Sequence, residues 1–328
     1  MRIRNLSNSK ITCIYTSQPS TVNSIQTINI PGDQYEKFAN IAAKLGVQQT
    51  KIIGDQNIHD LVVKLVWTSL GASQLELSDI TQVICVTQTN SYLIPGFSSL
   101  LQNYLDFSEG TRFLDLSQGC AGFVDGVQIA AQLCIHPEDK ILLITSEVMS
   151  ATLDPEDFGN RLLFGDACSV TLIEYDEKAP EILGFMKYDG TGYRGAFLKS
   201  NNFNDGENYF SLNGPAVFSL ALKAFDDAKI FIEQVGLEFK DLDSIIPHQA
   251  NTFILEKIGS KYSIVDLIVN EMKFTGNTSS NSIPVGMTNY FERTGRRFGK
   301  KTLCVGFGNG FSWGAILADF SNTSFGKV

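Results

Sequence analysis

Three short segments carry side chains that together have the types needed for covalent acyl chemistry. "LSQGCAGFVDGVQIAAQL" (116–133) sets Cys120 behind a glycine and ahead of an almost wholly apolar segment. "DSIIPHQANTFILEKI" (243–258) puts His248 and Gln249 after Pro247, where a short strand is expected to end and a helix to open. "FTGNTSSNSIP" (274–284) offers Asn277 from a tight turn at Gly276. A thiolate at Cys120 would form the covalent intermediate, and a helix N-terminus is expected to lower its pKa. His248 and Asn277 would supply two donors to a second carbonyl. Backbone N–H groups would stabilise an oxyanion. One of these can come from "GFGNGFSWG" (306–314), whose glycines let the chain approach a substrate closely.

Taken singly, each residue has a plainer reading. The six cysteines, at 13, 85, 120, 134, 168 and 304, mostly lie in apolar runs, where a free Cys packs as a small hydrophobe. No C-x-x-C pair or Cys/His spacing fits a zinc site, so no metal is expected. An Asn in a turn commonly stabilises its own backbone. Of the three histidines, His59 and His136 read as surface residues. His248 alone sits at a strand-to-helix junction, where sites form in α/β proteins.

The elements that must position these groups alternate between strand and helix. "ITQVICVTQT" (80–89), "TRFLDLS" (111–117) and "DKILLITSE" (139–147) read as buried strands, with helices at "FSSLLQNYLDF" and after Cys120. This order predicts an α/β fold with buried sheets. The Cys120 helix is apolar nearly all round, which predicts burial between two layers. The chain also repeats an order of elements. "HPEDKILLIT…LLFGDACSVTLIEY" ends the first half and "RFGKKTLCVGFGNGFSWGAILADF" the second. Two halves, 1–178 with Cys120 and 179–328 with His248 and Asn277, are therefore expected. "GTGYRGAFLKSNNFNDGENYF" (190–210) reads as a polar surface excursion.

The bulk composition narrows the class. The chain has 328 residues, 43% hydrophobic and 19% charged, enough for one large core or two fused domains. A net charge of -9 argues against a nucleic-acid partner. No apolar run approaches the roughly 20 residues of a membrane span, and the N-terminus shows no signal-peptide pattern. A cytoplasmic location is the expectation.

With these residues in view, the chain resembles the ketoacyl synthase III branch of the thiolase superfamily, from about residue 55 onward. The resemblance rests on "GCAGF" with Cys120, "PHQAN" with His248, "GNTSS" with Asn277 and "FGNGFSWG", supported by "DPEDFGNRLLFGDACSV". It implies an α/β, thiolase-like five-layered αβαβα sandwich with internal duplication, and a homodimer. It implies an acyltransferase in which a thioester acylates Cys120. His248 and Asn277 then hydrogen-bond a malonyl thioester, whose decarboxylation gives an enolate that attacks the acyl-Cys. The oxyanion hole would be the backbone N–H groups of Cys120 and Asn309. No bound cofactor is implied. Coenzyme A or acyl-carrier-protein pantetheine thioesters are the substrates, and the carrier protein is a partner.

The recognition residues depart from the family. Asn40 and Lys44 stand where it has a Trp and an Arg for the coenzyme A nucleotide. Phe253 replaces an Arg that docks the carrier, with Lys257 one turn on. Asn309 replaces a glycine and is expected at positive φ. Ile94 stands where a Phe from the opposite subunit closes the acyl pocket. A specialised rather than housekeeping member is the expectation, in fatty acid, polyketide or related biosynthesis. Two other readings stay open: acyl transfer to an alcohol or amine without decarboxylation, with His248 as general base, and a non-catalytic partner subunit.

Overall fold

A computed structural model describes residues 1–28, 30–32, 35–199 and 209–328. The first part of the chain forms β1 (Arg4–Leu6), β2 (Ser9–Ser17), β3 (Thr21–Ser24), α1 (Tyr35–Leu45), β4 (Gln49–Ile52) and α2 (Ile58–Ser73). It continues through β5 (Gln82–Val86), α3 (Phe97–Tyr104), β6 (Arg112–Leu116), α4 (Gly122–Leu133), β7 (Lys140–Glu147), α5 (Phe158–Leu163) and β8 (Ala167–Tyr175). The second part adds β9 (Ile182–Tyr188), β10 (Ala196–Phe197), β11 (Ser211–Leu212), α6 (Gly214–Gln234), β12 (Ser244–Pro247) and α7 (Thr252–Tyr262). It ends with α8 (Met272–Thr275), α9 (Ser282–Thr294), β13 (Thr302–Gly308), β14 (Ser312–Ala318) and β15 (Ser324–Lys327).

Two large sheets result, in the orders β15-β2-β8-β7-β5-β6 and β1-β9-β14-β13-β12. β5 lies parallel to both β6 and β7, while β7–β8 and β13–β14 are antiparallel. The strands are Val-, Ile- and Leu-rich, and β13 and β14 are buried at every residue. Such runs fit sheets covered on both faces. α4 touches β5 and β7 of one sheet and β9, β13 and β14 of the other, and α9 touches β2, β8 and β12. Outside, α2 and α3 cover the first sheet and α6 the second, with α7 packed on α6. Helix, sheet, helix, sheet, helix is the five-layered sandwich that the sequence implied.

α4 owes its central place to its composition. Phe123, Val124 and Val127 are fully buried, each contributing about 2 kcal/mol on burial. Its buried polar residues, Asp125 and Gln128, are satisfied rather than solvated. Tyr188 donates to Asp125 at 2.7 Å, and the Gln128 amide donates to the Phe185 carbonyl at 3.3 Å. Residues 176–181 carry the chain from β8 in one sheet to β9 in the other. We propose the division of the chain at 178/179 on that ground. Each sheet also borrows one terminal strand, β15 beside β2 and β1 beside β9.

Candidate active site

Cys120 lies in the turn between β6 and α4, two residues before the helix begins. It is the one cysteine of the six that is not fully buried. Gly308, the last residue of β13, presses against it: a Cβ there would come within 2.7 Å of the Cys120 Cβ, so only glycine fits against the Cys120 turn. The expected lowering of the thiol pKa is not what the surroundings give. Burial pushes the thiol up to about 12, the ionised Glu147 adds to this, and the Ser279 hydroxyl opposes it.

His248 follows β12, and its N–H donates to the Val305 carbonyl at 2.7 Å, carrying the β12–β13 pairing one residue further. The helix opens later than expected: Asn251 caps α7, accepting from the Ile254 N–H at 2.8 Å, and leaves His248 and Gln249 in the preceding turn. The imidazole is buried edge-on to Phe307 with its Nδ1 2.6 Å from the Ser282 hydroxyl. Burial pulls its pKa down to about 3, so the ring is neutral.

Asn277 sits after Gly276, whose φ of +62° is glycine territory. Its N–H donates to the Leu163 carbonyl at 2.8 Å, and its carbonyl accepts from the Gly165 N–H at 3.0 Å. The "GNTSS" turn is thus stitched to "LLFGD", far away in sequence. The Ser279 N–H donates to the Asn277 Oδ1 at 2.9 Å, which turns the amide nitrogen the other way, toward the Ala250 carbonyl at 3.4 Å. Ser279 makes this bond with a φ of +52°, a strain of about 1 kcal/mol for a residue with a Cβ.

All three side chains line one cavity of about 530 Å³, with Ser279, Phe307, Gly308 and Asn309 beside them. Its walls are apolar, from Met149, Leu163, Phe164, Phe210, Leu212 and Ile254. Part of the wall comes from the segment expected to be a surface excursion: Tyr193, Phe197 and Leu198 face the cavity, while residues 200–208 lie outside the described residues. Asn309 also lines it, and its side-chain amide donates to Gln88 at 2.6 Å. The left-handed residue of this turn is Gly310, with φ +88°, not Asn309.

The recognition candidates are not brought together with this centre. Asn40 and Lys44 are exposed on α1, outside the cavity wall. Ile94 is 83% exposed and outside the cavity lining, which its neighbour Leu93 joins. Phe253 is half-exposed on α7, against Phe218 and beneath the Lys257 ammonium. His59 is a correction. It is buried, stacked on Phe97 and Tyr104, with its Nδ1 2.9 Å from Asn57, the cap of α2. A histidine beside a helix-capping Asn and ahead of an aliphatic run was the available signal. Among the described residues no cluster of His, Cys, Asp and Glu fit to hold a metal is found, and no helix is long and apolar enough to cross a membrane.

Residues 114–190 match the family model described as 3-oxoacyl-[acyl-carrier-protein] synthase III, and residues 232–320 match its C-terminal counterpart. Together the two matches span about half of the chain. The chain belongs to the 3-oxoacyl-[acyl-carrier-protein] synthase III family. It is 29% identical over 289 residues to the beta-ketoacyl-[acyl-carrier-protein] synthase III of Clostridium perfringens, covering 84% of this chain and 89% of the relative. The crystal structure of 3-oxoacyl-(acyl carrier protein) synthase III from Pseudomonas aeruginosa superimposes with a TM-score of 0.85 at 27% identity, covering 95% of this chain and 98% of that one. A 3-oxoacyl-(acyl-carrier protein) synthase from Burkholderia xenovorans gives a TM-score of 0.88 at 21% identity, covering 100% and 99%, and supports the fold. The protein is thus an acyltransferase of the condensing-enzyme class.

Proposed function

We propose that this synthase III family member acylates Cys120 from a thioester and joins that acyl group to a malonyl thioester with loss of carbon dioxide. The observation that carries the proposal is the convergence of Cys120, His248 and Asn277 on one apolar cavity. A neutral His248 that accepts the Ser282 hydroxyl proton at Nδ1 carries its own proton on Nε2. The Asn277 amide nitrogen is a second donor, because its oxygen is occupied by the Ser279 N–H. Two neutral donors are what an enolate oxygen needs as carbon dioxide leaves. The enolate carbon then attacks the acyl-Cys carbonyl. The resulting oxyanion is held by the N–H groups of Cys120 and Asn309, and its collapse expels the Cys120 thiolate. No bound cofactor enters this scheme; the pantetheine thioester of coenzyme A or of an acyl carrier protein is itself the substrate, and the active unit is a homodimer in the cytoplasm.

Transfer to an alcohol or amine is the weaker reading, since a ring with a pKa near 3 is a poor general base at neutral pH. A non-catalytic subunit has no use for the buried nucleophile. The departures at Asn40, Lys44 and Phe253 support a specialised member with an altered donor or carrier.

Intact-protein mass spectrometry tests the proposal. The protein is incubated separately with acetyl-CoA, longer acyl-CoAs and acyl carrier proteins. A mass increase of one acyl group, absent in Cys120→Ala, is expected, and the best donor names the first substrate. Absence of any adduct on folded protein across all donors would sink the reading.

A further inference from the structure

Glu147 closes β7 with a side chain that the scheme above leaves unused. It is completely buried. Its carboxylate takes four hydrogen bonds: from the Gln88 N–H (3.3 Å) and the Thr89 hydroxyl (2.9 Å) at Oε2, and from the hydroxyls of Ser280 (3.0 Å) and Ser279 (3.5 Å) at Oε1. All four donors are neutral, and among the described residues no Lys or Arg forms an ion pair with it. The Ser279 hydroxyl that points at Glu147 also lies 3.8 Å from the Cys120 Sγ. One hydroxyl therefore stands between the nucleophile and a buried carboxylate, on a residue whose left-handed backbone puts it there.

The thiol needs such a group. Attack of Cys120 on a thioester must shed a proton, and the departing sulfur must gain one. His248 is badly suited to hold it, because burial pulls its pKa down to about 3 and its Nδ1 is tied to Ser282. We infer that Glu147 is a positioning residue that holds the Cys120 proton during acylation, receiving it through the Ser279 hydroxyl. In this step the S–H bond breaks and its proton passes to the Ser279 oxygen, while the Ser279 hydroxyl proton passes to Glu147 Oε1. The thiolate electron pair attacks the thioester carbonyl, and the carbon–sulfur bond of the donor breaks. The proton returns by the same route to the departing sulfur, so Glu147 ends ionised as it began. The inference takes from the proposed function only that Cys120 is the nucleophile.

Burial pushes the Glu147 carboxyl up to about 7, with its hydrogen-bond donors pulling the other way. That places it where a group can both accept and return a proton near neutrality. The other titratable groups on the surrounding elements are Cys85, Cys168, Asp166 and His248. Burial pushes the Cys85 and Cys168 thiols far up, and it also raises the Asp166 carboxyl, whose hydrogen bonds from Ser150 and the Ile53 N–H oppose the shift. His248 stays neutral.

The test is the rate of Cys120 alkylation by iodoacetamide from pH 5.5 to 9, read by mass on the whole protein, with a thermal melt to confirm folding. Iodoacetamide needs no thioester, so failure of every acyl donor would count against the proposed function and leave this result intact. The wild-type rate is expected to rise through an inflection near pH 7. Glu147→Gln is expected to react about 10²-fold more slowly at pH 8, without that inflection. Ser279→Ala, which keeps the carboxylate, is expected to be similarly slow and covers the case that the Gln variant does not fold. Ser280→Ala is expected to keep the plateau rate but move the inflection to higher pH, because it removes a donor that favours the ionised carboxylate. If Glu147 acts only as a nearby negative charge, Glu147→Gln alkylates faster at pH 8, and the inference is wrong. An unchanged rate and inflection in Glu147→Gln overturns it equally.

Discussion

At the floor of the cavity, His248 and Asn277 are held by backbone hydrogen bonds to a strand or loop distant in sequence, and Cys120 is wedged against Gly308. At the mouth, Phe197 and Leu212 stand on the two-residue strands β10 and β11, and beyond the cavity lining Phe253 stands half-exposed on α7. The floor is polar, buried and held by directed hydrogen bonds to its partners. The mouth is apolar and holds its shape through area rather than direction. Directional groups act in the transition state and fail steeply when removed. Apolar area discriminates gradually, by roughly 1–3 kcal/mol per methylene. The two regions should therefore respond to substitution on different scales.

The steepest response is expected from the two donors. His248→Ala and Asn277→Ala should each cut carbon dioxide release from a malonyl thioester by about 10²–10³-fold, while the acyl adduct on Cys120 still forms. Loss of the adduct in parallel would show that floor and mouth cannot be separated in this way. A second floor effect concerns stability. Glu147 has a folded pKa of about 7, raised by burial from its ordinary 4.5. Between those values the folded state binds more protons than the unfolded one. Its contribution is therefore present below about pH 4.5 and lost as pH rises through 7. Glu147→Gln removes this loss, of order 3 kcal/mol, so its Tm relative to wild type should be higher at pH 8 than at pH 5. A pH-independent difference would remove the buried charge from the account.

The mouth should give smaller changes. Phe210→Ala enlarges the wall, and the ratio of kcat/KM between long and short acyl donors should shift toward the longer one by about tenfold. Equal losses for all donors would place Phe210 in the floor's class instead. The least effect is expected at Phe253→Arg. If the partner is an acidic carrier protein, kcat/KM for it should rise by roughly threefold at low salt, and the gain should vanish at high salt. A salt-independent gain would mean that shape, not charge, governs this rim.

The same division explains what the sequence could reveal. α4 was legible because burial on all sides leaves an uninterrupted apolar run. Cys120, His248 and Asn277 were legible because each sits in a compact motif where one element hands over to the next. Glu147 and Ser279 were in view too, as the acid that ends "ILLITSE" and the first of two serines after "GNT". Their relation was not, because it depends on a distance across β7 and the turn before α9. A carboxylate closing the buried, uncharged run "ILLITS" is the only hint. The second role of the surface excursion is hidden for a similar reason: "GTGYRGAFLKS" is polar in composition and mostly exposed, yet Tyr193, Phe197 and Leu198 also line the cavity. Asp60 beside His59 gives that position a surface look, whereas helical spacing puts the two on different sides of α2, His59 buried and Asp60 exposed. The glycine-like backbone expected of Asn309 belongs to its neighbour Gly310.

The exchange of terminal strands has a consequence for how the protein is made. β15 pairs in parallel with β2, bringing Ser324 opposite Cys13, and the Ser17 hydroxyl donates to the Val328 carbonyl at 2.8 Å. Until residues 324–327 leave the ribosome, β2 has no partner on one side and presents an open edge. Synthesis at roughly 5–20 residues per second keeps that edge exposed for many seconds after β2 itself has emerged. Contacts of such sequence separation also form slowly. The nascent chain thus carries a long-lived adhesive strand that residues 324–327 must cover, which makes chaperone dependence and aggregation during expression most sensitive to this four-residue strand, far from Cys120, His248 and Asn277.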